Sequence, residues 1–253
     1  MKKQLRILFT SVMFYTRIPV PRRTGFSKEN LNKATGYFPF VGIMVGAIGG
    51  TIYWAAQHIL PVSVSVLLCM ITTILITGAF HEDAISDFCD GFGGGYSQEQ
   101  ILNIMKDSRI GTYGAIGLIM VLLSRYVLLS NIETAKFLAV IIAGNALSRL
   151  NAVFVIFSSE YVRNDETSKS KPVGEKHGIF TLMLAIVFGL IPMIFIPFIS
   201  TIIIISALIV TFLVFRCYII KILGGYTGDV LGAIQQISEL VFYLFFIVSI
   251  HFI

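Results

Sequence analysis

The sequence predicts an all-α protein, a polytopic integral membrane bundle of about seven transmembrane helices forming one domain over residues 1–253. Three observations carry this. Hydrophobic residues make up 56% of the chain and charged residues 13%, whereas a soluble domain carries about 25% charged residues. The apolar residues gather in runs of about twenty, the length a helix needs to cross the hydrocarbon layer. The basic residues gather in loops that alternate topology places on one side.

Residues 4–15 alternate polar and apolar at helical spacing, which suits a short interfacial helix or the start of a span. The basic start is not read as a signal peptide, because Arg17 and Pro19 interrupt it and no small-residue cleavage site follows. The basic stretch after it, with Pro19 and Pro21, is read as a juxtamembrane anchor on anionic lipid, with a substrate-facing loop as the second reading. Spans follow at about 34–59, 62–80, 111–131, 136–158, 179–197, 200–220 and 232–252. In the first, Gly42, Gly46 and Gly50 form a small-xxx-small face suited to close helix packing. Residues 82–110, 159–178 and 221–231 are polar connections, the first a loop or a helix pair.

With seven spans, sixteen of the nineteen Lys and Arg lie on the side of the N-terminus or at its border. The positive-inside rule makes that side cytoplasmic. The net charge of +5 is therefore a topology signal, and no nucleic-acid partner is implied. Cys69, Cys89 and Cys217 are far apart, which speaks against a disulfide framework or a zinc site. The partner implied throughout is the lipid bilayer, and a homo-oligomer is compatible with the chain.

The chemistry gathers at residues 78–95, G-A-F-H-E-D-A-I-S-D-F-C-D-G-F-G-G-G. Glu82, Asp83, Asp87 and Asp90 fall within nine residues, and no Lys or Arg occurs between Lys33 and Lys106. Asp83, Asp87 and Asp90 share one helix face, where like charges repel. Oxygen ligands without a Cys or His set favour a hard cation, Mg²⁺ or Mn²⁺. Lone His81 suits a helix end or an interface better than a ligand set, and Cys89 suits packing. Gly91, Gly93, Gly94 and Gly95 are expected to stop the helix and to turn backbone N–H groups toward an anion. Lys106, Asp107, Ser108 and Arg109 follow just before the third span, with Lys and Arg suited to phosphate oxygens.

Arg125 and Arg149 fall inside spans, where charge is costly and marks function by default. Arg149 is expected to pair with a carboxylate of the cluster or to reach a phosphate. Arg125 is expected to snorkel toward the outer surface, and Glu239, near the cytoplasmic end of its span, to be a structural partner for one of the two. Asp229, flanked by glycines, is a second contributor to the cation or to a hydroxyl nucleophile. Arg163, Lys169, Lys171, Lys176 and His177 could close over a nucleotide, although a solvated charge run explains them equally well. The reaction class that fits is attack of an alcohol on a metal-bound diphosphate with loss of a nucleoside monophosphate, a carboxylate taking the proton.

The chain resembles the cobalamin synthase family of adenosylcobinamide-GDP ribazoletransferases. The resemblance rests on residues 14–21 (F-Y-T-R-I-P-V-P), 37–42 (Y-F-P-F-V-G), the acidic stretch 78–95, 104–114 (I-M-K-D-S-R-I-G-T-Y-G) and 224–233 (G-G-Y-T-G-D-V-L-G-A). The family pattern H-x-D-G-x-x-D is met from His81 to Asp87 with Ala84 in place of the glycine. The resemblance implies an enzyme of the bacterial cytoplasmic (inner) membrane. It would join adenosylcobinamide-GDP to α-ribazole or its 5′-phosphate and release GMP with Mg²⁺. It implies Asp83, Asp87 and Asp90 as catalytic residues, Glu82, Asp83, Asp87 and Asp90 as metal ligands, and Asp107 beside the diphosphate, where its chemistry makes it a catalytic candidate that completes the metal site or orients a base. Gly93, Gly94, Lys106, Arg109, Arg149 and Asp229 are the candidate substrate contacts. CDP-alcohol phosphotransferases also place D-G early, but here no Ala-Arg follows Asp90-Gly91 and the later acidic doublet is missing. A cation-coupled transporter would explain intramembrane arginines but not the Gly-rich and K-D-S-R segments.

Overall fold

Each of the seven apolar runs is helical in the computed structural model, which describes residues 3–24, 27–163 and 178–251. In chain order the α-helices are α1 (Lys3–Tyr15), α2 (Lys28–Ala34), α3 (Phe38–Ala56), α4 (Val62–Thr77), α5 (Phe80–Gly94), α6 (Gln98–Ile104), α7 (Thr112–Ser130), α8 (Thr134–Ser158), α9 (Ile179–Leu190), α10 (Phe198–Leu223) and α11 (Gly228–His251). The fold is an all-α polytopic membrane bundle. The expected count of about seven full spans resolves differently. Among the described residues, five runs are long and apolar enough to cross alone: Glu29–Ala56, Thr112–Ser130, Thr134–Ser158, Phe198–Leu223 and Gly228–Ile250. α4 has 16 residues and joins α5 through an 87° bend, while the apolar run Ile179–Phe195 is shorter.

The lipid-facing surfaces follow from helical periodicity. On α7, Ile116, Ile119, Met120, Leu123 and Val127 recur every three or four residues and are exposed. In water such a stripe would cost free energy, whereas against acyl chains it costs none. α8 is the opposite case, with 83% of its most apolar window buried, so it forms the centre of the bundle. Its closest partner is α3. A Cβ on Gly42 would lie 2.3 Å from the Asn145 carbonyl oxygen, and Gly46 and Gly50 meet Ile141 and Leu138 in the same way. The small-xxx-small face is thus the α3–α8 contact. Gly42→Val should lower thermal stability in detergent, because overpacking a close helix crossing typically costs about 1–3 kcal/mol or more. An unchanged melting temperature would remove this contact from the account.

The bend between α4 and α5 is made by Gly78 and Ala79, both in the left-handed region with φ of 66° and 59°. Ala79 pays for its Cβ there. The Arg17 backbone N–H donates to the Ile76 carbonyl at 2.7 Å, covering a helix end that the bend leaves open. The N-terminal basic stretch therefore seats on the bend. α5, expected in a loop or helix pair, is packed into the bundle against α7 and α11: Cys89 meets Gly117 of α7, and Ala84 meets Gly232 of α11.

Candidate active site

The acidic stretch is helical, and the helix sorts its acids to different surroundings. Glu82 points into the bundle and is buried. Its Oε1 accepts from Gln236 Nε2 at 3.2 Å and lies 3.7 Å from Arg125. Asp90 is also buried, and its carboxylate accepts from the backbone N–H groups of Gly111 (2.7 Å) and Gly114 (2.8 Å). These are free donors of the first turn of α7, so Asp90 caps that helix from across the gap and complements its dipole. Asp83 is exposed and Asp87 half-buried, one helical turn apart.

The start of α11 completes this face. Asp87 lies within electrostatic reach of Asp229, Asp83, Arg163 and Asp90. Arg163 Nη2 donates to Asp229 Oδ2 at 2.8 Å and to the Met105 carbonyl at 3.2 Å. Two segments far apart in sequence meet here through a short parallel bridge, in which Tyr226 N–H donates to the Glu160 carbonyl and Val162 N–H to the Tyr226 carbonyl. Gly225 permits that approach, since a Cβ on it would lie 2.0 Å from the Glu160 oxygen. Asp83, Asp87, Asp229 and Arg163 thus gather from three stretches of chain.

The K-D-S-R segment is divided between two clefts on either side of α6. Lys106 lines one of about 320 Å³ with Arg163, Gln98 and Asn103. Asp107 and Arg109 line another of about 730 Å³ with Asp90, Gly94, Thr112 and Tyr113. Arg109 folds back on Asp107, donating from its backbone N–H and from Nε and Nη2, the last at 2.6 Å. Those bonds from Arg109 hold the Asp107 carboxyl down to about 2.

The glycines do not form the expected anion cradle. α5 runs on to Gly94, and the Gly95 N–H donates to the Gly91 carbonyl, so these N–H groups belong to the helix ladder. The glycines instead allow close packing, with Gly91 against Met105 and Gly93 against Tyr113. Gly93 and Gly94 keep an exposed edge.

Among the described residues, no three His, Cys, Asp or Glu side chains converge closely enough to hold a metal by themselves. Magnesium rarely needs that, since one or two carboxylates and the substrate's phosphates usually complete its shell. Asp83 and Asp87, free of any bonded base among the described residues, fit that donor set. Glu82 and Asp90 are already bonded within the protein.

Residues 7–247 match the protein family Cobalamin-5-phosphate synthase. A curated relative from Shewanella frigidimarina, named adenosylcobinamide-GDP ribazoletransferase, is 42% identical over 245 residues, 96% of this chain and 94% of its own. The protein of the same name from Shewanella oneidensis is 43% identical over 97% of this chain and 95% of its own. The chain belongs to the cobalamin-5-phosphate synthase family. No solved structure matches it.

Within this family member, a buried polar layer lies beneath the carboxylate face, and here the sequence misled. Arg125 does not snorkel outward. It is 3% exposed, and its Nη2 lies 3.0 Å from Glu239 and 3.2 Å from Thr73 Oγ1. Two interior carboxylates outweigh the headgroups it would have to reach. Glu239 is its partner, as expected of a structural acid, but it sits mid-helix and also accepts from Tyr243 (2.9 Å) and Gln235 (2.7 Å). Arg149 is buried with no carboxylate within 4 Å among the described residues. It donates to the Asn145 carbonyl and Oδ1, both at 2.9 Å, and lies over the Phe38 ring. Gln235, Gln236 and Asn145 were passed over. Their signal was present, because Gln235-Glu239-Tyr243 and Asn145-Arg149 repeat at four residues and so share a helix face. Lys169, Lys171, Lys176 and His177 lie outside the described residues.

Proposed function

We propose that this chain is an adenosylcobinamide-GDP ribazoletransferase of the bacterial inner membrane. It joins adenosylcobinamide-GDP to α-ribazole or its 5′-phosphate and releases GMP, with Mg²⁺ required and the carboxylate face toward the cytoplasm. The transferase class rests on the family and on relatives at about 42% identity over nearly the whole chain. The observation that supports these site residues is the meeting of Asp83, Asp87, Asp229 and Arg163 beside a cleft that also carries Lys106. The cytoplasmic orientation rests on the one-sided placement of basic residues.

In this reading the α-ribazole hydroxyl attacks the phosphorus on the cobinamide side. The bond from that phosphorus to the bridging oxygen breaks, and GMP leaves with the oxygen. Asp83 or Asp87 takes the hydroxyl proton. Bound Mg²⁺ would neutralise charge on the diphosphate. Arg163 and Lys106 offer positive charge to the phosphate oxygens, and Arg163 meets Asp229 and the Met105 carbonyl through Nη2 alone. Arg109 holds Asp107 through Nε and Nη2 and keeps Nη1 for a phosphate. Glu82 and Asp90 anchor the helix that carries the two working acids.

Purified protein in liposomes, supplied with adenosylcobinamide-GDP and α-ribazole, should release GMP with Mg²⁺ and not after chelation. Folded protein that releases no GMP in either condition would sink the transferase reading. Release that survives chelation would remove the metal.

A further inference from the structure

A narrow aromatic slot lies where the end of α1 and the starts of α5 and α11 meet. Phe14, Tyr15, Phe38, Phe80 and His81 line it, with Gly228 at the start of α11. Tyr15 stacks on Phe38 at 4.0 Å and 20°, and Phe38 on His81 at 5.9 Å and 12°, while the other ring pairs stand at steep angles. Phe14 meets Tyr15 at 4.8 Å and 85°, Phe14 meets Phe80 at 5.8 Å and 68°, and Phe80 meets His81 at 5.4 Å and 83°. Such walls offer faces and edges to a flat ring. The slot is nearly closed, at about 20 Å³, and Phe80 stands 36% exposed. A base would enter by turning that ring aside.

One side chain that lines the slot has a polar atom without a partner. His81 is 2% exposed, and its Nε2 has no hydrogen-bond partner among the described residues. A buried polar group left unpaired is unfavourable and calls for an explanation. The slot reaches the carboxylate face through α11. Gly228, in its lining, immediately precedes Asp229, which lies within electrostatic reach of Asp83.

We propose that this slot receives the benzimidazole base of the α-ribazole acceptor, with His81 Nε2 donating the one hydrogen bond that the base can accept. The proposal rests on the transferase reading and adds to it the acceptor's place. The glycosylated base has one free ring nitrogen, an acceptor, and is otherwise apolar. The slot's partnerless polar atom matches it one to one. The donor's guanine carries several donors and acceptors on its edge, which an apolar aromatic wall would leave unpaired, and a site rejects such groups strongly. With the base in the slot, the ribose leaves past Gly228 toward Asp229, beside which the hydroxyl must react.

The test compares two ribosides on wild-type protein without donor or Mg²⁺, by equilibrium dialysis in detergent. One is α-ribazole. The other is the matching dimethylindole riboside, which has carbon in place of the free ring nitrogen. Wild-type protein should bind α-ribazole about tenfold more tightly, the worth of one hydrogen bond. His81→Phe keeps the ring and removes the donor, and should bind both alike. Wild-type protein that releases GMP yet binds both ribosides equally overturns the slot and leaves the transferase reading standing. Discrimination without GMP release supports the slot and overturns that reading. His81 also borders the buried polar layer. If it serves only that layer, His81→Phe lowers the melting temperature while wild type and variant prefer α-ribazole equally, which overturns the proposal.

Discussion

Asp83→Asn and Asp87→Asn should each lower GMP release about 10²–10⁴-fold, the range for loss of a general base, with melting temperatures at or above wild type. The two effects part because of where the side chains sit. Asp83 is exposed and Asp87 half-buried, and neither accepts a hydrogen bond from a base or a backbone N–H among the described residues. Neutralising either removes repulsion from the other and from Asp229, so folding loses nothing. Asp90→Ala should behave in the opposite way. Its carboxylate holds the Gly111 and Gly114 N–H groups, and its loss leaves the start of α7 uncapped. Melting should fall with Asp90→Ala, and any loss of turnover should follow the loss of folded protein. Turnover in Asp83→Asn and Asp87→Asn within threefold of wild type would remove both residues from the chemistry.

This separation of neighbouring acids was only half legible in the chain. The i, i+4 spacing of Asp83 and Asp87, and the offset of Glu82 from that face, follow from helical periodicity alone. That Asp90 would be spent on another helix does not, because its partners are backbone groups 21 and 24 residues away. Backbone donors have no sequence signature. The glycine run misled for a related reason. Glycine permits a turn or a close helix contact equally, and only the neighbours decide. At Gly42, Gly46 and Gly50 the four-residue period settled the matter in favour of packing. Gly91 to Gly95 span little more than one turn and show that spacing once, too short a stretch to tell packing from a turn, yet they pack as well.

The bend at Gly78 and Ala79 was hidden too. A left-handed alanine is not something composition reveals, and the apolar run from residue 62 to 80 reads as one straight span. The bend turns α5 toward α7 and α11. It therefore makes the carboxylate face part of the bundle rather than a loop above it, and it brings Glu82 down to the level of Arg125. Helices broken within the membrane are tolerated where the freed backbone is covered by protein, as the Arg17 N–H covers Ile76 here.

Arg125→Met should cost about 3–5 kcal/mol, the range for removing one partner of a buried ion pair. Arg125 is the cation between Glu239 at 3.0 Å and Glu82 at 3.7 Å, and all three are under 9% exposed. Glu82, Glu239, Arg125 and Arg149 sum to zero formal charge. Without Arg125 two carboxylates face a single arginine that bonds to neither. Neutralising the surplus should recover the loss, so Arg125→Met with Glu239→Gln should melt closer to wild type than Arg125→Met alone. A purely steric role for the arginine predicts no such recovery, because the added substitution changes charge and leaves volume nearly unaltered. The consequence for activity follows from position. Glu82 immediately precedes Asp83 on α5, so the ion pair fixes the rotation at which α5 presents its working acids. Arg125→Lys keeps the charge but not the planar fork, which reaches Glu82 through Nη1 and Glu239 through Nη2. It should retain most of the stability while GMP release falls, and equal losses in both would make the pair a matter of folding alone.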